Sequence, residues 1–214
     1  HNVRVRHPLP GKLEEGINCD LLTLVLSNSK PDPAGQGDSN ATAEEIALAS
    51  NEAPAGQQEL GSWLPNSLSL EKLLADGTGK RRVELFSQPR ELHCNTAQVE
   101  YNLVQRVLNL RDPVAVDVLQ GPQQIHAPEI SLVFHENNRD IRQAVARGAG
   151  NAASRLNDGR TVTAKWQKQL VKSFDPQTQL DIVEVQGAAA ISLDQDYELQ
   201  GDALRIWFTP LVMG

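Results

Sequence analysis

The sequence predicts an all-β fold assembled from a repeated strand unit. Three observations predict it. Short apolar and β-branched runs are separated by closely spaced turn signals, at Asp76-Gly77, Asp112-Pro113, Gly121-Pro122, Asn157-Asp158-Gly159 and Asp175-Pro176. Within the runs, apolar residues recur at every second position, which places them on one face of a strand. A ten-residue pattern also recurs along the chain, and such internal similarity decides a fold more strongly than any single segment.

The pattern begins at Ile17, Leu92, Ile125, Val162 and Leu199. The last four starts lie 33, 37 and 37 residues apart, and the first gap of 75 is about two periods long. Each copy opens on an apolar residue. A small residue follows two positions on (Cys19, Cys94, Ala127, Ala164, Gly201), and then a polar or turn-compatible one (Asp20, Asn95, Pro128, Lys165, Asp202). Alternating triplets follow: Leu22-Leu24-Leu26, Ala97-Val99-Tyr101, Ile130-Leu132-Phe134 and Leu204-Ile206-Phe208. The copy from Val162 departs, because Gln167 and Gln169 take the apolar positions and Trp166 falls on the other face.

The first copy defines a β-unit over 1–30. Residues 31–66 read as a loop or disordered insertion rich in Pro, Gly, Ala, Asn and Gln, with a short helix at Thr42–Ser50 begun by a capping box of Thr42 and Glu45. Residues 67–214 hold the remaining units. Between the copies sits a second strand type, Val107–Val116 and Ile182–Ile191, with shorter counterparts at Val83–Phe86 and Ala146–Gly148. Gln143–Ala153 is the weakest segment for strand, since its alanines favour a helical turn that Gly148 and Gly150 oppose. One unit is thus two strands joined by a turn, and a stack of units buries a face that a single unit cannot.

These residues carry a family resemblance. The motif Leu199-Gln-Gly-Asp-Ala-Leu-Arg-Ile-Trp-Phe208, preceded by a strand ending at Gly187, is similar to the OstA-like repeat of the lipopolysaccharide-transport proteins. His93–Tyr101 fits the first part of that repeat, and Val107–Val116 fits the second, with Asp112 where the family usually has Gly. The match covers roughly 76–134 and 161–208, and more weakly 11–26; residues 31–66 and 143–153 depart from it. The resemblance implies an open, twisted β-jellyroll whose apolar interior holds lipopolysaccharide acyl chains. It also implies copies joining edge to edge by strand addition, in the periplasm or cell envelope. The groove candidates on that reading are Leu22, Leu24, Val99, Tyr101, Ile130, Leu132, Phe134, Leu204, Ile206 and Phe208. Arg205, between Leu204 and Ile206, marks the outer face.

Composition narrows the alternatives. A net charge of −7 and a pI near 5.2 argue against a nucleic-acid footprint. Three Trp, two Tyr and four Phe leave a core that is mostly aliphatic. No run of 18 apolar residues spans a membrane as a helix. The start lacks Met and a signal-peptide core, so a mature form or a piece of a longer precursor is expected. G-x-S-x-G, P-loop and H-E-x-x-H motifs are absent, and Asp194, Asp196 and Glu184 read as solvated acids, so no catalytic residue is assigned. No cofactor is implied. His93 and His126 share one repeat position, but a metal site needs three or four converging ligands, so none is assigned. Cys19 and Cys94 read as buried free thiols. Trp166, Trp207 and Phe208 pack a core or line an acyl groove. A structural β scaffold or protein-interaction domain without lipid remains the alternative function, and a polysaccharide-acting enzyme a second.

Overall fold

The computed structural model describes residues 3–8, 14–28, 68–77, 82–88, 91–135, 141–156, 158–194 and 196–208. The insertion and helix expected at 31–66 lie outside the described residues. The strands are Val3–Pro8 (β1), Glu14–Cys19 (β2), Leu21–Asn28 (β3), Leu68–Asp76 (β4), Val83–Ser87 (β5), Leu92–Thr96 (β6), Gln98–Asn102 (β7) and Val107–Gln120 (β8). They continue as Gln123–Phe134 (β9), Ile141–Arg147 (β10), Gly150–Arg155 (β11), Thr161–Trp166 (β12), Gln169–Asp175 (β13), Leu180–Leu193 (β14) and Tyr197–Phe208 (β15). Every pairing is antiparallel, and no helix occurs among the described residues.

All fifteen strands belong to one sheet, and β9, β10, β13, β14, β12 and β11 close a six-strand ring of pairings within it. The register explains how the ring forms. The first part of β9 pairs β11 and the second pairs β10, so β10 and β11 lie end to end along one partner. β12 and β13 lie end to end along β14 in the same way. In the N-terminal half, β6 and β7 lie end to end along β8. The pairing of β8 with β9 shifts register between Arg111 and Val116, and that of β14 with β15 between Gln186 and Ala189.

The breaks fall where local chemistry disrupts the ladder. Asp112-Pro113 is not a turn between strands, as its composition suggests, but a bulge inside β8. Pro113 has no N–H to donate. Asp112 Oδ1 accepts from the Val114 and Ala115 N–H groups at 2.8 and 3.2 Å, and so replaces ladder bonds. At the β14 break Gly187 takes φ +80°, where a Cβ would lie 2.8 Å from the Lys168 backbone nitrogen. The turn at Gly121-Pro122 joins β8 to β9, and the Asp175 carboxylate stabilises the β13–β14 turn through Gln177 N–H and Thr178 Oγ1.

Gln143–Ala153, the weakest strand segment in the sequence, forms most of β10 and of β11, interrupted at Gly148-Ala149. Its alanines are there for size. Ala146 is 1% exposed and belongs to the hydrophobic core cluster of the described residues. Tertiary packing overrides the helix propensity of those residues.

Candidate functional site

The candidate site is the apolar face that the strands turn toward the core. Register partners line up in rows across it. One row carries Leu22, Val99, Ile130 and Leu204, with Ala75, Leu110, Ala146, Leu170 and Val185 on the strands between them. The next row carries Leu24, Tyr101, Leu132 and Ile206. At about 4.8 Å per strand, nine strands make each row roughly 40 Å long. A third row crosses the other half of the sheet, from Val5 and Ile17 through Cys94, Val118 and Ile191 to Leu199.

The expected residues therefore share rows, with one displacement. The repeat alignment equates Leu22 with Ala97 and Leu24 with Val99; in the structure Leu22 shares its row with Val99 and Leu24 with Tyr101. The break between β6 and β7 falls at Ala97 rather than Asn95, which moves the copy by two residues and keeps the same face. Val99, Ile130 and Leu132 are buried, and Leu22, Phe134, Leu204 and Ile206 pack partly buried against the cluster. Leu24 and Tyr101 are half-buried, and the Tyr101 and Phe134 rings meet edge to face at 6.2 Å. Phe208 lies on β15, and its side chain is outside the described residues. Arg205 points outward, pairs with Glu184 and lies over the Trp207 ring. Leu26, expected inward, is 37% exposed, because the β3–β4 register shifts between Val25 and Leu26.

The copy from Val162 buries Trp166 rather than residues 167 and 169, since the strand breaks at Gln167-Lys168 and its inner positions are Ala164, Trp166 and Leu170. Row members such as Ala75, Leu110 and Val185 went unassigned in the sequence, although the alternation in Val107–Val116 and Ile182–Ile191 marks two of them. The inner face also carries an ion pair: Lys172, in the row of Leu132 and Ile206, has its Nζ 3.0 Å from the buried Asp181, which pairs with Phe174 and Phe208.

The rows end openly at β15, which pairs only β14 among the described residues. There Leu199 is 56% and Tyr197 70% exposed. At the opposite side, β1 pairs only β2 among the described residues.

The outer face carries the histidines and their carboxylate partners. His93 and His126 do not converge; β8 lies between their strands, and each pairs a carboxylate. Glu84 Oε1 bonds His93 Nε2 at 2.8 Å, and its Oε2 accepts from Asn18 at 2.7 Å; these two bonds, His93 first, hold the Glu84 carboxyl below its ordinary range. Asp117 bonds His126 Nδ1 at 2.5 Å and accepts from Arg82 at 2.9 Å. Burial pushes the Asp117 carboxyl up, but these bonds outweigh it and the net direction is down. Arg82 also donates to Asp112 at 3.0 Å and to the carbonyls of Asn95 and Ala115, so it fastens the β8 bulge to its neighbours. No cluster of three metal-ligating side chains occurs among the described residues. Cys19 and Cys94 are free and buried, and burial pushes the Cys94 thiol up to about 12. No described helix is long and apolar enough to cross a membrane.

Comparison with protein-family models gave no match, and comparison with curated proteins gave none either.

Proposed function

We propose that this chain is a non-enzymatic module of the cell envelope that binds and passes on lipid acyl chains of the lipopolysaccharide type, on an open, repeat-built jellyroll of the OstA-like kind. One observation carries the reading: apolar rows cross the sheet from edge to edge and reach a strand whose inner side chains, Tyr197 and Leu199, are exposed. A filled core has no reason to extend its apolar lining to an edge that pairs no further strand among the described residues, whereas a trough that continues into a partner does. The end-to-end strands support the open form. On this reading the six-strand ring arises where β10 and β11 share β9 and β12 and β13 share β14. The driving force is ordinary: burying a methylene contributes about 0.8 kcal/mol.

The edges support assembly with further copies by strand addition. Neighbours from β1 through β2, β5, β6, β8, β9, β11, β12 and β14 to β15 alternate in direction over ten strands, so β15 runs opposite to β1. A second copy in the same orientation therefore offers its β1 antiparallel to β15. The faces match as well. Val3 and Val5 continue the side of Leu199, and Arg4 and Arg6 meet the side of Glu198 and Asp202.

A structural scaffold is the second reading, favoured by the complete burial of Ala75, Val83, Val116, Ala127, Ile130 and Val185. Titration with the fluorescent acyl probe cis-parinaric acid separates the two. A lipid trough binds the probe saturably, loses it in Ile206→Asp while staying folded, and keeps it in Arg205→Ala. Unfolding of Ile206→Asp, expected when a carboxylate is buried unpaired, together with no uptake by the native chain, favours the scaffold.

A further inference from the structure

The inner face opens toward water at one end. In the row of Ile130, Ala146, Leu170 and Val185 every one of these side chains is at most 7% exposed. One row nearer the strand ends Leu132 is still buried, but Ala144, Val183 and Ile206 are only partly so. Lys172 stands in this second row, paired with Ala144 and Val183, and its side chain is 40% exposed. Phe174, next along β13 on the same face, is 36% exposed. Water therefore reaches the inner face here, and a cation sits where it does. A lysine lays its stem along apolar surface and keeps its ammonium in water. The buried Asp181 lies 3.0 Å from that ammonium and occupies one of its three donors. Two further cations stand at this end. The Arg106 carbonyl accepts from the Phe134 N–H at 3.0 Å, and Arg142 lies in the register shift opposite Phe134. The Asp175 carboxylate at the same end is engaged by Gln177 and Thr178.

We infer that Lys172 binds the anionic head group of an amphiphile whose acyl chain lies on the apolar row beside it, over Val183 and Ile206. The inference rests on the lipid-binding reading and deepens it: the ligand class is an anionic amphiphile, carboxylate or phosphate, with its polar end fixed at Lys172. An alcohol of the same length gains the same apolar contact but not the charge-assisted hydrogen bond.

Displacement of 1,6-diphenylhexatriene from the full chain tests this, with myristate and tetradecanol as competitors of matched length. The native chain prefers myristate about tenfold, the effect of one charge-assisted hydrogen bond at a half-exposed site. Lys172→Met removes the preference. Equal displacement by the two competitors in the native chain, or an unchanged preference in Lys172→Met, overturns the inference and leaves lipid binding standing. Acetate, the same carboxylate without the tail, leaves the preference intact when added at the concentration of myristate; abolition by acetate shows a free-anion site and overturns the amphiphile assignment. Failure of the native chain to take up the probe at all overturns both readings. Lys172→Met leaves Asp181 without its cation. If that variant does not fold, Lys172→Met combined with Asp181→Asn leaves no unpaired charge, and the same preference decides the question.

Discussion

Glu84 illustrates what single residues contribute on the outer face. Its carboxyl is held low by the bonds from His93 and Asn18, so the associated stability is fully present above the unfolded carboxyl value of about 4.3 and is lost as the pH falls through the folded value. The pair is well exposed, which limits its worth to roughly 0.5 kcal/mol. His93→Ala therefore lowers the urea midpoint slightly at pH 5 and has a smaller effect at pH 3; equal losses at both values would separate His93 from Glu84. At this scale the sequence was most readable where side chains alternate. Leu204, Arg205 and Ile206 take their faces from parity alone, as do Ile130 and Leu132. Trp166 was readable as a packed aromatic but its face was not, because its parity is set by a strand break three residues beyond the copy's small residue. The partners of His93 and His126 were also hidden, since they come from neighbouring strands rather than from the residues beside them.

At the scale of elements, the β8 bulge shows how a turn-like dipeptide is accommodated inside a strand. Asp112 is buried, and Arg82 bonds it while also holding Asp117 and two carbonyls. Arg82→Ala leaves a buried carboxylate with only backbone donors and costs about 2 kcal/mol in chemical denaturation. Val114, at the apex and 85% exposed, tolerates Val114→Ser within about 0.5 kcal/mol. A reversal of these sizes would show that the bulge is held by Val114 packing instead. The sequence marks the site through Asp112-Pro113 but gives a turn there, because Pro and Asp report a broken ladder without saying whether the chain reverses. The edge strands make a second prediction. Arg4→Glu with Arg6→Glu shifts sedimentation of concentrated protein toward monomer if β1 docks on β15, and added salt does the same. Sedimentation unaffected by either change would remove the charge-matched docking.

For the whole molecule, the all-β class was legible because period-two runs and closely spaced turns leave little else for the chain to form. The register between aligned segments was partly legible. Copies from Ile125 and Leu199 align position for position with the register rows, whereas the copy from Leu92 is displaced by two residues. Repeat spacing reports the length of a unit and not where its strands bend. That the apolar lining continues to an exposed edge was invisible in the sequence, since a closed core and an open trough need the same alternation. Uptake of acyl chains by this lining is read out by labelling the full chain with a diazirine-bearing fatty acid and mapping the adducts by mass spectrometry. Saturable labelling is expected on inner-face residues near the β15 edge, Leu199, Leu204 and Ile206, suppressed by excess unlabelled fatty acid. Labelling confined to the outer face, at residues such as Trp207 or Leu119, or none at all on folded protein, would contradict it.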